Sequence, residues 1–131
     1  MNKLSNSEKL YEKAKLYISG GISSQIRTLE HSKVPLFIKR AKGSKIWDVD
    51  NNEYIDYIQG MGPNIFGHAP DFLNNAVSNE IKNGMIYAAQ FESEIEVAQK
   101  ALKILNVDNW TSRFASSGTE INQLLIRLIR G

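Results

Sequence analysis

The sequence predicts an α/β layered fold, and three observations carry that prediction. Residues 35–58 hold three short apolar-rich runs broken by Gly and Asn, the pattern of an antiparallel meander. Four other segments repeat apolar residues at i, i+3 and i+4, the stripe of a helix packed on one side. Residues 111–130 read as a strand, a small-residue turn and a helix, the opening step of a layered α/β domain.

In chain order, residues 7–18 are expected to form an amphipathic helix. Leu10, Tyr11, Ala14, Tyr17 and Ile18 face inward, and Gly20-Gly21 stops it. Glu8, Lys9, Glu12, Lys13 and Lys15 make its solvated face. Residues 22–30 are a loop, in which Arg27 offers a planar fork that can clamp a carboxylate. His31 belongs to the surface. Strands are expected at 35–41, 45–49 and 54–58, with Ile46 and Trp47 as anchors and an Asn-rich turn at 50–53. Trp47 and Tyr57 read as packing residues. Asp48, Asp50, Glu53 and Asp56 read as turn and edge carboxylates.

A Gly/Pro loop at 60–64 leads to Gly67-His68-Ala69-Pro70, where His68 reads as a cap for the next helix. Pro70 suits the first turn of that helix, which is expected to reach residue 83 with Leu73, Ala76, Val77 and Ile81 buried. Gly84 ends it, and residues 85–92 are irregular, with Tyr87 and Phe91 clustered. Ser93-x-x-Glu96 reads as a capping box for a helix that buries Val97, Ala98, Ala101, Leu102 and Leu105, pairs Glu96 with Lys100 and ends at Asn106. A strand at 111–115 follows, in which Phe114 and Ala115 can be buried.

The turn after that strand carries the chemistry. Ser117-x-x-Glu120 is a second capping box ahead of Ile121, Leu124, Leu125, Leu128 and Ile129. The first amides of a helix lack helical acceptors, and the macrodipole adds partial positive charge there. Gly118 keeps a side chain out of the way, while Ser117 and Thr119 offer hydroxyls. Such a turn can hold a phosphate or carboxylate, or it can be an ordinary capped helix.

Composition excludes several classes. The chain has 131 residues, 42% hydrophobic and 23% charged, which is ordinary for one globular domain. A net charge of +2 with no basic stripe gives no case for nucleic acid. The absence of Cys removes disulfides and thiol catalysis, and two His do not make a metal site. There is no signal-like or membrane-length apolar run, so the cytoplasm is the expected compartment.

Taken together, several segments resemble the N-terminal part of a class III aminotransferase, a pyridoxal-phosphate enzyme of fold type I, and match the glutamate-1-semialdehyde 2,1-aminomutases most closely. They are Ala14-Lys15 with Gly20-Gly21, Ile22 to Arg27, Pro35-Leu36-Phe37-Ile38, and Gly43 to Asp50. Asn52 to Tyr57, Gly62-Pro63, Gly67-His68-Ala69 and Glu92-Ser93-Glu94 follow in the family's order. Phe114 to Glu120 and Arg127 to Gly131 close the series.

The resemblance implies a first segment of helix and meander over 1–69 and the start of a cofactor-binding large domain over 70–131. It implies that Ser117, Gly118 and Thr119 bind the phosphate of pyridoxal 5'-phosphate. It places Arg27 and Ser24 at the substrate carboxylate, and Met61 and Gly62 along the substrate pocket. An amino acid or amino ketone is the implied substrate, and a homodimer the implied assembly.

Met61 stands where the aminomutases have Trp, the loop 23–27 lacks their Pro, and Ile121 replaces a small residue. These departures leave the substrate open. The family's Schiff-base Lys and pyridine-binding acid lie beyond the Ser-Gly-Thr turn. The eleven Lys here, from Lys3 to Lys103, all precede it. The expectation is therefore no catalytic residue, a fragment inactive alone, and self-association through the apolar last helix. The alternative is a non-catalytic phosphate-binding or assembly module.

Overall fold

The computed structural model describes residues 4–28 and 32–131; the His31 expectation and the end of the 22–30 loop lie outside them. The chain divides into two compact units, Met1–Asn83 and Gly84–Gly131.

In the first unit, helix α1 spans Ser5–Lys15, two residues earlier at its start than expected and three shorter at its end. A turn and a 3₁₀ segment at Ser19–Gly21 replace its last turn, because Gly20 takes φ 66°. Gly21 is required on steric grounds: a Cβ there would lie 2.6 Å from the Tyr11 ring. Lys15 does not simply face solvent, since its ammonium sits 4.4 Å from the Tyr11 ring centroid and 2.7 Å from Glu12.

The expected meander is present. Strands β1 (Ile38–Lys42), β2 (Lys45–Asp48) and β3 (Glu53–Ile55) form an antiparallel sheet in the order β1-β2-β3. The register pairs Arg40 with Trp47, and the guanidinium stacks 3.5 Å from the indole centroid. Trp47 is half-buried as expected, whereas Tyr57 lies past the end of the sheet and is exposed.

Glu53 is an exposed edge carboxylate as expected, paired with Lys45 across the sheet, but Asp48, Asp50 and Asp56 are not solvated edge groups. Asp48 is fully buried. It accepts from the amides of Asp50 (2.9 Å) and Asn52 (2.8 Å), from Asn52 Nδ2 (2.7 Å) and from the Tyr54 hydroxyl (2.9 Å). Burial pushes the Asp48 carboxyl up, but these donors outweigh it and hold the group below the usual range. Asp50 accepts from the amides of Asn6 (2.8 Å) and Ser7 (2.9 Å) and from the Ser7 hydroxyl (2.8 Å). It therefore caps the start of α1 from more than forty positions away, in place of a local cap.

Helix α2 spans Asp71–Glu80 and continues as a 3₁₀ turn at Ile81–Asn83. Pro70 is its N-cap position, and no side chain caps it, so His68 does not fill the expected role. Lys42 Nζ bonds the Ala69 carbonyl (2.8 Å), and Phe66 meets Phe72 edge-to-face at 5.2 Å. The face expected to be buried is open: Leu73, Val77 and Ile81 are all exposed.

In the second unit, the Tyr87 and Phe91 rings approach to 6.0 Å as expected. Helix α3 spans Glu92–Leu105, starting before Ser93, so the expected capping box does not form. Asn106 ends the helix in the left-handed conformation. Residues 111–115 are not a strand. A strand needs a hydrogen-bonded neighbour, and no described residue supplies one. Helix α4 spans Gly118–Arg130.

No hydrophobic residue among those described is buried. The accessible surface is 11502 Å², against about 7,000 Å² for a folded monomer of 14.8 kDa. The stripes predicted for α2, α3 and α4 exist, but the described chain does not cover them.

Candidate functional site

The α4 start is built as its sequence implies. Ser117 is the N-cap in extended backbone, and its hydroxyl accepts from the Glu120 amide at 3.2 Å. The Glu120 carboxylate reaches back to the Ser116 amide at 2.8 Å. The capping pair thus occupies the amides of Ser116 and Glu120, and the Ile121 amide bonds the Ser117 carbonyl. Among the described residues, the Gly118 and Thr119 amides have no acceptor.

Both of these residues are exposed, and a Cβ built on Gly118 would meet nothing within 4 Å. A neighbouring groove of about 340 Å³ is lined by Arg113, Phe114, Ser116, Glu120 and Arg127 among others, but not by Gly118 or Thr119. Open amides at a helix N-terminus suit an anion.

Ser24 and Arg27 lie at the two ends of a 3₁₀ turn, Gln25–Arg27, closed by the Arg27 amide on the Ser24 carbonyl (3.1 Å). Both are exposed, and the Ser24 side chain makes no cap bond. Met61 and Gly62 sit in a second loop. Among the described residues, no hydrogen bond or ion pair joins them to Ser24 or Arg27.

The Met61 loop is unusual. Gln59, Gly60, Met61 and Gly62 take φ values of 50°, 63°, 68° and 108° in succession. For Gln59 and Met61 such a conformation costs about 1–3 kcal/mol each, and it persists only where the surroundings over-determine it. Those surroundings include Asp56 and His68, which sequence reasoning did not connect. His68 Nε2 meets Asp56 Oδ2 at 2.6 Å. The His68 ring holds the Asp56 carboxyl below its usual range against the upward push of burial, and the Gln59 and Ile58 amides add to that. Gln59 Oε1 is buried with no donor among the described residues.

No three His, Asp or Glu side chains among the described residues converge as a metal site. No described helix is long and apolar enough to cross a membrane.

The family model for class III aminotransferases matches residues 27–131. Two curated glutamate-1-semialdehyde 2,1-aminomutases are each 42% identical. That from Francisella philomiragia aligns over 95% of this chain and 29% of its own length. That from Persephonella marina aligns over 98% and 30%. Among solved structures, a transaminase with pyridoxal phosphate bound superposes with a TM-score of 0.87 at 26% identity, covering 98% of this chain and 30% of that one. A glutamate-1-semialdehyde aminomutase from Pseudomonas aeruginosa shares the fold, with a TM-score of 0.84 at 22% identity over 96% of this chain and 27% of that one. The chain thus spans about 30% of the length of the curated relatives it matches.

The solved relatives are fold type I transaminases, and the expected fold class holds. The family's cofactor is pyridoxal phosphate. On the match over residues 27–131, the chain belongs to the class III aminotransferase family.

Proposed function

We propose that this chain supplies the cofactor-phosphate cradle and part of the substrate pocket of a pyridoxal-phosphate-dependent aminotransferase or aminomutase. The reaction moves an amino group between an amino acid and a keto or aldehyde compound. The observation that carries this reading is the start of α4, where the Gly118 and Thr119 amides stand open with free space above Gly118.

A phosphate at that position accepts from both amides and from the Thr119 hydroxyl, and the positive end of α4 favours its negative charge. The Ser117 oxygen accepts the cap bond, fixing the direction of the two amides, while its O–H donates to the phosphate. When bound, the cofactor supplies an electron sink at the substrate's reacting carbon. The residues here bind and orient. Arg27 presents its fork to the substrate carboxylate, with the Ser24 hydroxyl beside it. Met61 and Gly62 line the pocket, Met61 giving a flexible thioether wall. The names of the 42%-identical relatives favour glutamate-1-semialdehyde as substrate.

None of the eleven lysines follows the cradle, so none is assigned a covalent role. Residues 1–69 are the N-terminal segment and 70–131 begin the cofactor-binding domain of a homodimeric enzyme.

Calorimetric titration tests the cradle. Pyridoxine 5'-phosphate carries the phosphate without an aldehyde that would react with surface lysines. It is expected to bind at least about tenfold more tightly than pyridoxine, as charge-assisted hydrogen bonds require. Gly118→Val should erase that difference. Equal affinity for the two compounds would contradict the proposal.

A further inference from the structure

We propose that Asp56 and His68 are positioning residues: their contact clasps the loop 56–68 shut and holds Met61 and Gly62 in the conformation they present to substrate. The substrate half of this inference rests on the reading of Met61 and Gly62 given above; the clasp does not.

The loop needs a restraint. Four successive residues with positive φ include Gln59 and Met61, whose side chains disfavour that region. Asp56 restrains the near side. Its Oδ1 accepts from the amides of Ile58 (2.9 Å) and Gln59 (3.1 Å), and Gln59 Nε2 returns to the Asp56 carbonyl (2.7 Å). These bonds start the turn but cannot close it. Closure comes from Asp56 Oδ2, which meets His68 twelve positions later. In the tautomer in which Nε2 donates to the carboxylate, Nδ1 accepts from Asn64 Nδ2 at 3.4 Å.

Both ends of the loop are also fixed to the same hairpin. The Asp56 amide bonds the Ser44 carbonyl (2.8 Å), and His68 and Gly43 exchange backbone bonds of 2.8 and 2.9 Å. That approach needs Gly67, where a Cβ would lie 2.9 Å from the Gly43 carbonyl oxygen. The Asp56 and His68 side chains are only 10% and 19% exposed. Their contact is therefore shielded from water and strong compared with a surface pair. Within the loop, the amides of Met61, Gly62 and Asn64 bond the carbonyls of Ile58 and Gln59.

Residue-resolved amide hydrogen exchange on this chain tests the clasp. In the unmodified protein, the Met61, Gly62 and Asn64 amides are expected to be protected at least tenfold over an unstructured chain, the mark of a closed local unit. His68→Leu, which removes the donor, should speed their exchange by about tenfold, the scale of one lost charge-assisted bond, while residues 45–48 stay unchanged. His68→Gln keeps an amide donor at the same reach and should restore most of the protection. The clasp is overturned by unprotected Met61, Gly62 and Asn64 amides in the unmodified protein. It is also overturned if the Leu and Gln variants behave alike. Where His68→Leu fails to fold, the unmodified protein and His68→Gln still decide. The substrate reading fails separately: if Met61→Ala leaves substrate affinity unchanged while exchange follows this pattern, the clasp stands and the pocket assignment falls.

Discussion

The meander and the α3–α4 segment solve opposite problems. Around the meander, carboxylates find donors within the first unit: Asp48, Asp50 and Asp56 each collect three or more. In residues 84–131, the apolar stripes stand open, with Leu128 81% and Ile129 75% exposed. A hydrogen bond needs only one partner group, whereas hydrophobic burial needs a second surface. A short stretch can therefore complete a hairpin, yet it cannot complete a helical layer.

The largest expected effect breaks the meander alone. Asp48→Ala removes, at a buried position, the acceptor shared by two amides, the Asn52 side-chain amide and the Tyr54 hydroxyl. It should cost about 3 kcal/mol, read as a lowered urea midpoint with faster exchange at 38–55 and none of that change in α4. Equal loss in both regions would show that the two do not behave as separate units.

Acid should discriminate between them next. Asp48, Asp50 and Asp56 are all held below the ordinary carboxylate range. Unfolded aspartates protonate near about pH 4. Below that value the unfolded state binds more protons than the folded one. The stability these groups contribute is therefore complete above about pH 4 and is lost as pH falls through their lower folded values. Exchange followed from pH 7 to pH 2 should show the meander loosening only in the acid limb. Loosening already between pH 7 and pH 5 at residues 45–55 would contradict this account of the three carboxylates.

The smallest effect belongs to the second region. Ser117→Ala removes one cap and should cost about 1 kcal/mol, confined to the first turn of α4 and seen as faster exchange at the Glu120 amide. An unchanged Glu120 amide would mean that the cap contributes nothing there.

The same contrast explains what the sequence made legible. Short apolar-rich runs and the Asn turn mark the meander because both are local signals, and Ser117-x-x-Glu120 marks α4 for the same reason. Residues 111–115 look like a strand and are not one, since pairing depends on a neighbour that local sequence does not contain. Ser93-x-x-Glu96 resembles a capping box, but the helix begins ahead of it. Asp50 capping a helix from across the fold and Asp56 meeting His68 are long-range pairings. Their only local trace was the cluster of acids around a hairpin, a pattern solvation explains equally well. Of the candidate site, the residue types at the α4 turn were readable from spacing, and the roles of Arg27, Ser24, Met61 and Gly62 only through resemblance.

Backbone amide NMR of this chain during titration with pyridoxine 5'-phosphate tests the cradle most directly. The account predicts that the Gly118 and Thr119 resonances move most and together, saturating at one site. If they stay in place while the shifts are scattered over the lysine-bearing segments, the α4 turn is only a capped helix and the assignment is wrong.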